Sequence, residues 1–311
     1  MPKPTARKRI SAFITACFTV AAILVCLRFG EEILSVAGKL TGIQFLSFGM
    51  YAPPADGELL VRIIDVGQAD STLIQTTDAV ILIDAGSEES EATLKAHLDA
   101  YKIEGIDYLI CTHPHDDHIG GADMVIKEYG VKNLLTTHKF SEEASFKKLL
   151  NAAINGDVSV SVPYTGQTFS VGTVNFTVLG PLSEYNDEND TSLIIKLVFG
   201  ETSFLFTGDA SSKVENDLLS YYGEDVLDCD FYKIAHHGAN TASCAEFLTA
   251  VSPTVAAASS GRNNEFGHPR GEVLSRLEKV GCKTILRTDL SGTMTLQSDG
   301  KVLTALSKYV E

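Results

Sequence analysis

From residue 59 onward the chain alternates short apolar, β-branched runs with stretches of helical spacing. Leu59–Val66 predicts a strand. Ser71–Thr76 and Val80–Ile83 predict a hairpin around Thr77-Asp78, its second arm running into Asp84-Ala85-Gly86. Glu89–Tyr101 carries Leu94, Leu98 and Tyr101 at helical spacing, and Ile106–Cys111 is an apolar strand. Further strands are predicted at Val158–Val162, Thr168–Val171, Val174–Leu179, Thr191–Phe199 and Thr202–Thr207, the last running into Gly208-Asp209. Ala122–Tyr129, Glu142–Ala153, Val214–Tyr222, Ala245–Ala250 and Glu272–Val280 predict helices. The tail, with Gly292 and Asp299-Gly300, reads as a closing strand or hairpin. Such alternation predicts an α/β fold.

The pattern repeats. Ser71-Thr-Leu-Ile-Gln followed by Ala79-Val-Ile-Leu-Ile-Asp84 matches in kind Thr191-Ser-Leu-Ile-Ile-Lys followed by Ser203-Phe-Leu-Phe-Thr-Gly-Asp209. Each is a hairpin whose second arm delivers an aspartate. A helix and another strand ending in histidine come next, Asp107 to His113 and Asp230 to His236, six residues from Asp to His in both. Two related halves would place Asp84, His113, Asp209 and His236 at equivalent strand ends. The expected architecture is two sheets sandwiched by outer helices, with the site at the sheet edge.

The first 32 residues differ from the rest. Lys3, Arg7, Lys8 and Arg9 precede Ile10–Leu27, an uncharged run of eighteen residues, and Arg28, Glu31 and Glu32 follow it. Residues 1–30 therefore predict a transmembrane signal anchor with the N-terminus inside and the bulk of the chain outside. A cleaved signal peptide, which would leave a secreted protein, is the rival reading, and a buried core helix is the third. Residues 31–57, with Gly38, Gly42, Gly49, Pro53 and Pro54, read as a linker, and 58–311 as the folded domain.

Charge narrows the partners. The chain of 311 residues has a net charge of −15, and removing the first 32 leaves 20 basic against 38 acidic groups, or −18. So acidic a domain repels polyanions at long range, although bound divalent ions and a local basic rim can invert the field at a site. Cys111, Cys229, Cys244 and Cys282 show no CxxC spacing, which argues against both a disulfide framework and a cysteine-zinc site.

The candidate chemistry is concentrated in Thr112-His-Pro-His-Asp-Asp-His-Ile-Gly-Gly121. His113, His115, Asp117 and His118 fall within six residues where a strand gives way to a turn. His113 and His115, two apart, would point the same way from an extended segment and grip one ion. Asp117 and His118 follow the bend and could serve a second. Neutral imidazole and carboxylate suit zinc, manganese or iron.

This HxHxDH pattern resembles the signature of the metallo-β-lactamase superfamily, a group of mostly hydrolytic enzymes. The order of motifs is more specifically similar to the metallo-β-lactamase domain of the competence DNA-uptake protein ComEC and its stand-alone relatives. The matching stretches are Asp65-Val-Gly-Gln-Ala-Asp70-Ser71, Ile83-Asp84-Ala-Gly86, the histidine cluster, Asn189-Asp190-Thr-Ser192-Leu, Phe206-Thr-Gly-Asp209, Ala235-His236-His237-Gly238, Gly267-His268-Pro269 and Arg287-Thr-Asp289 with Gly292. They span about residues 59–303. Two departures stand out: Ala69 replaces the family's usual glycine, and one candidate span stands where ComEC has a multi-helix channel segment. This chain alone is thus not expected to be the channel.

The resemblance implies a four-layer αββα sandwich and two divalent ions, zinc or manganese. His113 and His115 would bind one ion, Asp117, His118 and His236 (or His237) the other, with Asp209 between them. Such ions activate water and polarise the electrophile. Asp84 would hold a ligand imidazole from behind. Asp117, His237 and His268 are the expected catalytic groups, His237 as a substrate-facing proton donor or alternative ligand, His268 as a proton donor or phosphate contact. The superfamily's usual further histidine for the first ion is missing, since no histidine lies between His138 and His236. Asp190 or Asn189 sits near that place, so the first site would be weakly held. Arg262, Arg270 and Lys233 could contact a phosphate, and His97 and His138 are assigned to the surface. The implied function is a membrane-anchored or secreted metal-dependent phosphodiesterase or nuclease acting outside the cytoplasm. DNA or a cell-wall polymer such as a teichoic-acid phosphorylcholine ester would be the substrate, and a metal-binding module without turnover is the competing reading.

Overall fold

A computed structural model describes residues 52–137 and 141–306. The expected N-terminal helix, most of the linker and His138 lie outside the described residues. All described residues except Ala52 belong to one compact unit, Pro53–Glu311. Among them no helix is long and apolar enough to cross a membrane.

The strands are β1 (Leu59–Ile63), β2 (Thr72–Gln75), β3 (Val80–Ile83), β4 (Ile106–Cys111), β5 (Val131–Thr136), β6 (Ser159–Ser161), β7 (Thr168–Val171) and β8 (Val174–Gly180). They continue as β9 (Ile194–Phe199), β10 (Thr202–Phe206), β11 (Phe231–Lys233), β12 (Val255–Ala258), β13 (Thr284–Arg287), β14 (Met294–Ser298) and β15 (Leu303–Ala305). The longer helices are α1 (Glu91–Ala100), α2 (Ala122–Tyr129), α3 (Ala144–Asn155), α4 (Ser212–Tyr221), α5 (Ala245–Val251) and α6 (Gly271–Lys279). One sheet runs β15-β14-β1-β2-β3-β4-β5-β6 and the other β13-β12-β11-β10-β9-β8-β7.

The repeat extends further than the sequence suggests. From β1 to β6 the pairings are two antiparallel steps and then three parallel ones. From β8 to β13 the same series recurs. Parallel neighbours need a crossover, and α1, α2 and α3 supply it in the first half as α4, α5 and α6 do in the second. Even a local detail is shared. Asp107 accepts the N–H of Val80 at 2.9 Å, and Asp230 accepts that of Ser203 at 2.8 Å, so each carboxylate fixes the entry of the neighbouring strand.

Alternation along the strands builds the layers. Val61, Ile63, Ile74, Ile81 and Ile110 of the first sheet share one core with Phe176, Ile195, Leu197, Phe204 and Phe231 of the second. Each such buried side chain contributes about 2 kcal/mol to stability. The second sheet's other face, with Leu205 and Tyr232, packs on Val214 and Leu218 of α4, Phe247 of α5 and Leu277 of α6. On the first sheet the alternate residues Leu73, Leu82, Leu109 and Leu134 are buried, as are Leu94, Val125, Phe146 and Leu149 of α1–α3. Arg62 is buried on that outer face, hydrogen-bonded to Gln75 with its guanidinium 4.4 Å from the Tyr101 ring centre.

The hydropathy pattern misses β5, β12 and β13. Val255-Ala256-Ala257-Ala258 lacks bulk, yet it is a strand because β11 and β13 pair it on both sides. The strand expected from Asp230 to His236 ends instead at Lys233. That early end alters the site.

Candidate metal centre

The site residues lie just past the carboxyl ends of adjacent strands: Asp84 after β3, Thr112 and His113 after β4, Asp209 after β10, His236 and His237 after β11, Ser259 after β12. A one-turn helix, Asp116–Ile119, carries Asp117 and His118. Backbone bonds clamp this turn from two sides, Asp70 N–H to the Asp117 carbonyl at 2.9 Å and Ala85 N–H to the His118 carbonyl at 2.7 Å. Gly121 permits the approach, since a Cβ there would meet the Ala85 carbonyl oxygen at 2.5 Å. Gly208, with φ of +52°, does the same on the other side, where a Cβ would lie 2.7 Å from Ser192 Oγ and 3.0 Å from Thr112 Cβ. Ser192 Oγ accepts the Asp209 N–H at 3.0 Å while donating to the Asn189 carbonyl. The loop bearing Asp209 is thereby fixed.

One ligating atom each from Asp117, His118, Asp209 and His237 falls within 4.8 Å of the others. Their hydrogen bonds determine what those atoms present. His118 Nδ1 lies 2.7 Å from Asp84 Oδ2, and a carboxylate only accepts, so Nδ1 carries the proton and a neutral ring leaves a lone pair on Nε2. His237 Nδ1 donates to the Ser259 carbonyl at 3.0 Å, so here too a neutral ring leaves a lone pair on Nε2. These lone pairs face carboxylate oxygens: His118 Nε2 is 3.2 Å from Asp209 Oδ1, and His237 Nε2 is 3.1 Å from Asp117 Oδ2 and 3.7 Å from Asp209 Oδ2. His118 Nε2 and Asp209 Oδ1 are buried and make no hydrogen bond. Imidazole nitrogens and carboxylate oxygens that converge, two of them buried with no hydrogen-bond partner, are the donor set a divalent cation requires, and imidazole with carboxylate suits zinc, manganese or iron. The residues fit the group.

His113 is oriented by the same carboxylate at one remove. Thr112 donates its hydroxyl to Asp84 Oδ2 at 2.8 Å, so it accepts from His113 Nδ1 at 3.1 Å. The Nε2 of His113 then points to His115 Nδ1 at 3.1 Å and to Asp209 Oδ2 at 3.9 Å. Asp209 thus stands between two groups, with Oδ1 toward His118 and Oδ2 toward His113, His236 and His237.

The electrostatics agree. Burial would lower the His118 pKa, but Asp209, Asp84 and Asp117 outweigh it and hold it well above the ordinary value. Burial would raise Asp209, yet His118 and His237 hold it well below the usual carboxylate range. Asp117 is lowered in the same way, against its burial, by His118 and His237. His113 is pushed down, mainly by burial and then by His118. The pocket attracts positive charge, by proton or by cation.

Several sequence-based assignments change. His237, and not His236, joins Asp117, His118 and Asp209. The expectation assumed an extended segment with opposite-facing neighbours, but His236 and His237 have φ of 50° and 54° in a tight turn after β11. His237 is 2% exposed and tied to Ser259, so it does not face substrate. His236 Nε2 lies 3.6 Å from Asp209 Oδ2 on the open side. Burial, then His237 and His236, lower the His268 pKa to about 4. Asp190 Oδ1 accepts the Ser211 N–H at 3.1 Å, which places it behind the Asp209 turn. Lys233 is buried and paired with Asp70, whose other oxygen accepts from Ser259 at 3.1 Å, so it contacts no phosphate. His97 is half-buried against Thr293 and not on the surface. Ser259 and Glu188 were not singled out, and Thr112 and Ser192 entered only as members of matched stretches with no role assigned. They act through hydroxyls, carbonyls and long-range contacts that leave no local signature.

The family model described as the metallo-beta-lactamase superfamily matches residues 64–262. ComE operon protein 3 of Bacillus subtilis (strain 168) is 29% identical over 308 residues, which cover 92% of this chain and 39% of that protein. Competence protein ComA of Neisseria gonorrhoeae is 32% identical over 260 residues, 80% of this chain and 34% of that protein. The chain therefore spans somewhat over a third of the length of these curated relatives. Among solved structures, the metallo-beta-lactamase fold protein YhfI from Bacillus subtilis aligns with 78% of this chain and 99% of its own. Its TM-score is 0.52 at 13% identity, a likeness of fold.

Proposed function

The chain belongs to the metallo-β-lactamase superfamily, and from that premise we propose that it is a metal-dependent phosphodiesterase that cuts nucleic acid outside the cytoplasm. The observation that carries the reading is the convergence of His118 Nε2, His237 Nε2, Asp117 and Asp209, with His118 Nε2 and Asp209 Oδ1 buried and making no hydrogen bond. Divalent ions held there would activate water and stabilise charge on a phosphoryl group. The chain's own residues do the rest. Asp84 and the Ser259 carbonyl keep the ligand rings in one tautomer. Burial of His118, Asp209 and His237 excludes water from the inner side, while Asp117 and His236 border the open side, with side chains 37% and 27% exposed.

Beside His236, whose ring centre is 6.2 Å from that of His268, lies a cavity of about 340 Å³ bordered by His268, Arg270, Asn240, Thr241, Ala239 and the acidic Glu272. It offers the exposed guanidinium of Arg270 to a phosphate in an otherwise acidic domain. The resemblance of its motifs to the competence DNA-uptake protein ComEC favours nucleic acid over a cell-wall polymer. Action outside the cytoplasm rests on the basic residues that precede Ile10–Leu27.

The test is turnover by the purified chain, stripped and reloaded with zinc or manganese, on single-stranded DNA, bis(p-nitrophenyl) phosphate and nitrocefin. Metal-dependent cleavage of both phosphodiesters is expected. Hydrolysis of nitrocefin alone would overturn the proposal. Metal binding with no turnover of any of the three would make the domain a binding module.

A further inference from the structure

We infer that Glu188 is a positioning residue for the first metal ion, selecting the tautomer of His115 that makes His113 and His115 a chelating pair. The superfamily's further histidine is absent from this stretch, and Asp190, the residue expected in its place, is engaged with Ser211. Glu188 fills a different position. Its Oε2 lies 3.5 Å from His115 Nε2, on the far side of the ring from His113. Its Oε1 accepts from Ser141 Oγ at 3.1 Å, and its carbonyl accepts from Thr191 N and Oγ1, so side chain and backbone are both held.

The consequence follows from counting protons. His113 has its proton on Nδ1, bound to Thr112 Oγ1, so its Nε2 is a lone pair. His115 Nδ1 lies 3.1 Å from that lone pair. Two arrangements compete. With the proton on Nδ1, His115 would donate to His113 Nε2, which blocks both ligand atoms and sets the bare Nε2 of His115 against an anionic oxygen. With the proton on Nε2, His115 faces Glu188 favourably, and two lone pairs stand 3.1 Å apart with Asp209 Oδ2 nearby at 3.9 Å from His113 Nε2. That second state repels itself unless a cation takes both nitrogens. Glu188 favours it, because a carboxylate accepts hydrogen bonds and cannot donate them. It converts a histidine–histidine hydrogen bond into a divalent-cation site, from the position outer partners occupy in other metal centres.

The test measures metal, so failure to cleave any phosphodiester would leave its result standing. The purified full chain and its Glu188→Ala and Glu188→Gln variants are titrated with zinc against a chromogenic chelator. Bound ions are then counted by mass spectrometry. Glu188→Ala is expected to weaken one of two ions by about 10–100-fold and leave the other unchanged. Glu188→Gln, whose amide oxygen can take the place of Oε2 opposite His115 Nε2, should recover most of the loss. Wild-type affinity for both ions in Glu188→Ala would overturn the inference. So would a Glu188→Gln protein as depleted as Glu188→Ala, since that would make the carboxylate a ligand in its own right.

Discussion

Asp84→Asn changes one atom's hydrogen-bonding character and should disable two ligand histidines together. Asp84 is 2% exposed and accepts three bonds, Thr112 N–H on Oδ1 at 2.8 Å, and Thr112 Oγ1 at 2.8 Å and His118 Nδ1 at 2.7 Å on Oδ2. In the variant the amide oxygen stays on the Thr112 N–H, because the reverse rotamer would set two donors against each other. The NH2 then replaces Oδ2. It donates to His118 Nδ1 and moves that ring's proton to Nε2, where a lone pair had faced Asp209. It also donates to Thr112 Oγ1, which frees the hydroxyl proton for His113 Nδ1 and turns that ring as well. Losing one outer partner typically costs about 10–100-fold in metal affinity. Two rings together give about 10²–10⁴-fold, or about 3–5.5 kcal/mol at 1.4 kcal/mol per tenfold. The shapes are alike, and burial already raises the Asp84 pKa against the pull of His118, so the fold should survive the neutral side chain. Zinc competition against a chromogenic chelator, with circular dichroism as the fold control, makes the measurement. An Asp84→Asn protein within about threefold of wild-type affinity would refute the tautomer argument.

Two further outcomes are expected. His237→Ala should lose the ion placed among Asp117, His118 and Asp209, whereas His236→Ala should retain it, as counted by mass spectrometry; the opposite pattern would restore the strand-based assignment. Glu215, fully buried on α4, accepts the N–H groups of Ser243 and Cys244 at 2.5 and 2.8 Å, and burial, opposed by those bonds, raises its pKa from 4.5 to about 7. A carboxyl raised in the folded state stabilises below its unfolded pKa and loses that contribution as pH rises through the folded one. Wild-type stability should therefore fall by about 3 kcal/mol from this group between pH 4.5 and 7. Urea midpoints across that range should fall less steeply for Glu215→Gln, and parallel profiles would sink the idea.

The sequence carries the frame of this fold because hydropathy reports burial. Ile81, Ile83, Phe204 and Phe206 are inner-core residues, and their runs were recognisable as strands. Val255–Ala258 was not, since alanine reports neither face and the strand exists through its two neighbours. The histidine cluster was legible for a related reason, as four potential ligands lie within one turn. The choice between His236 and His237 was not. It depends on two residues with positive φ after a strand of three residues, a backbone event that no periodicity encodes. Lys233 reads from the sequence as a possible phosphate contact because its partner Asp70 lies 163 positions away.

The repeat explains both the success and the miss. Matched by strand register, Ile81 opposite Tyr108 corresponds to Phe204 opposite Phe231. His113 and His236 then both lie five residues past those partners, as the repeat implies. Asp84 and Asp209 do not correspond, for Asp84 lies three residues past Ile81 and Asp209 five past Phe204. The longer arm lets Gly208, at positive φ, swing Asp209 into the space among four imidazoles, while Asp84 stays behind its ring as an acceptor. A symmetric pair of half-sheets thus holds an asymmetric site. The first half provides the histidine cluster and the carboxylate that sets its protons, and the second provides the central aspartate and the turn that aims His237. Each half's contribution is anchored to the other, through Leu193 N–H on the Thr112 carbonyl at 2.9 Å and through Lys233, Asp70 and Ser259. The geometry on which metal binding depends therefore exists only when both halves are docked.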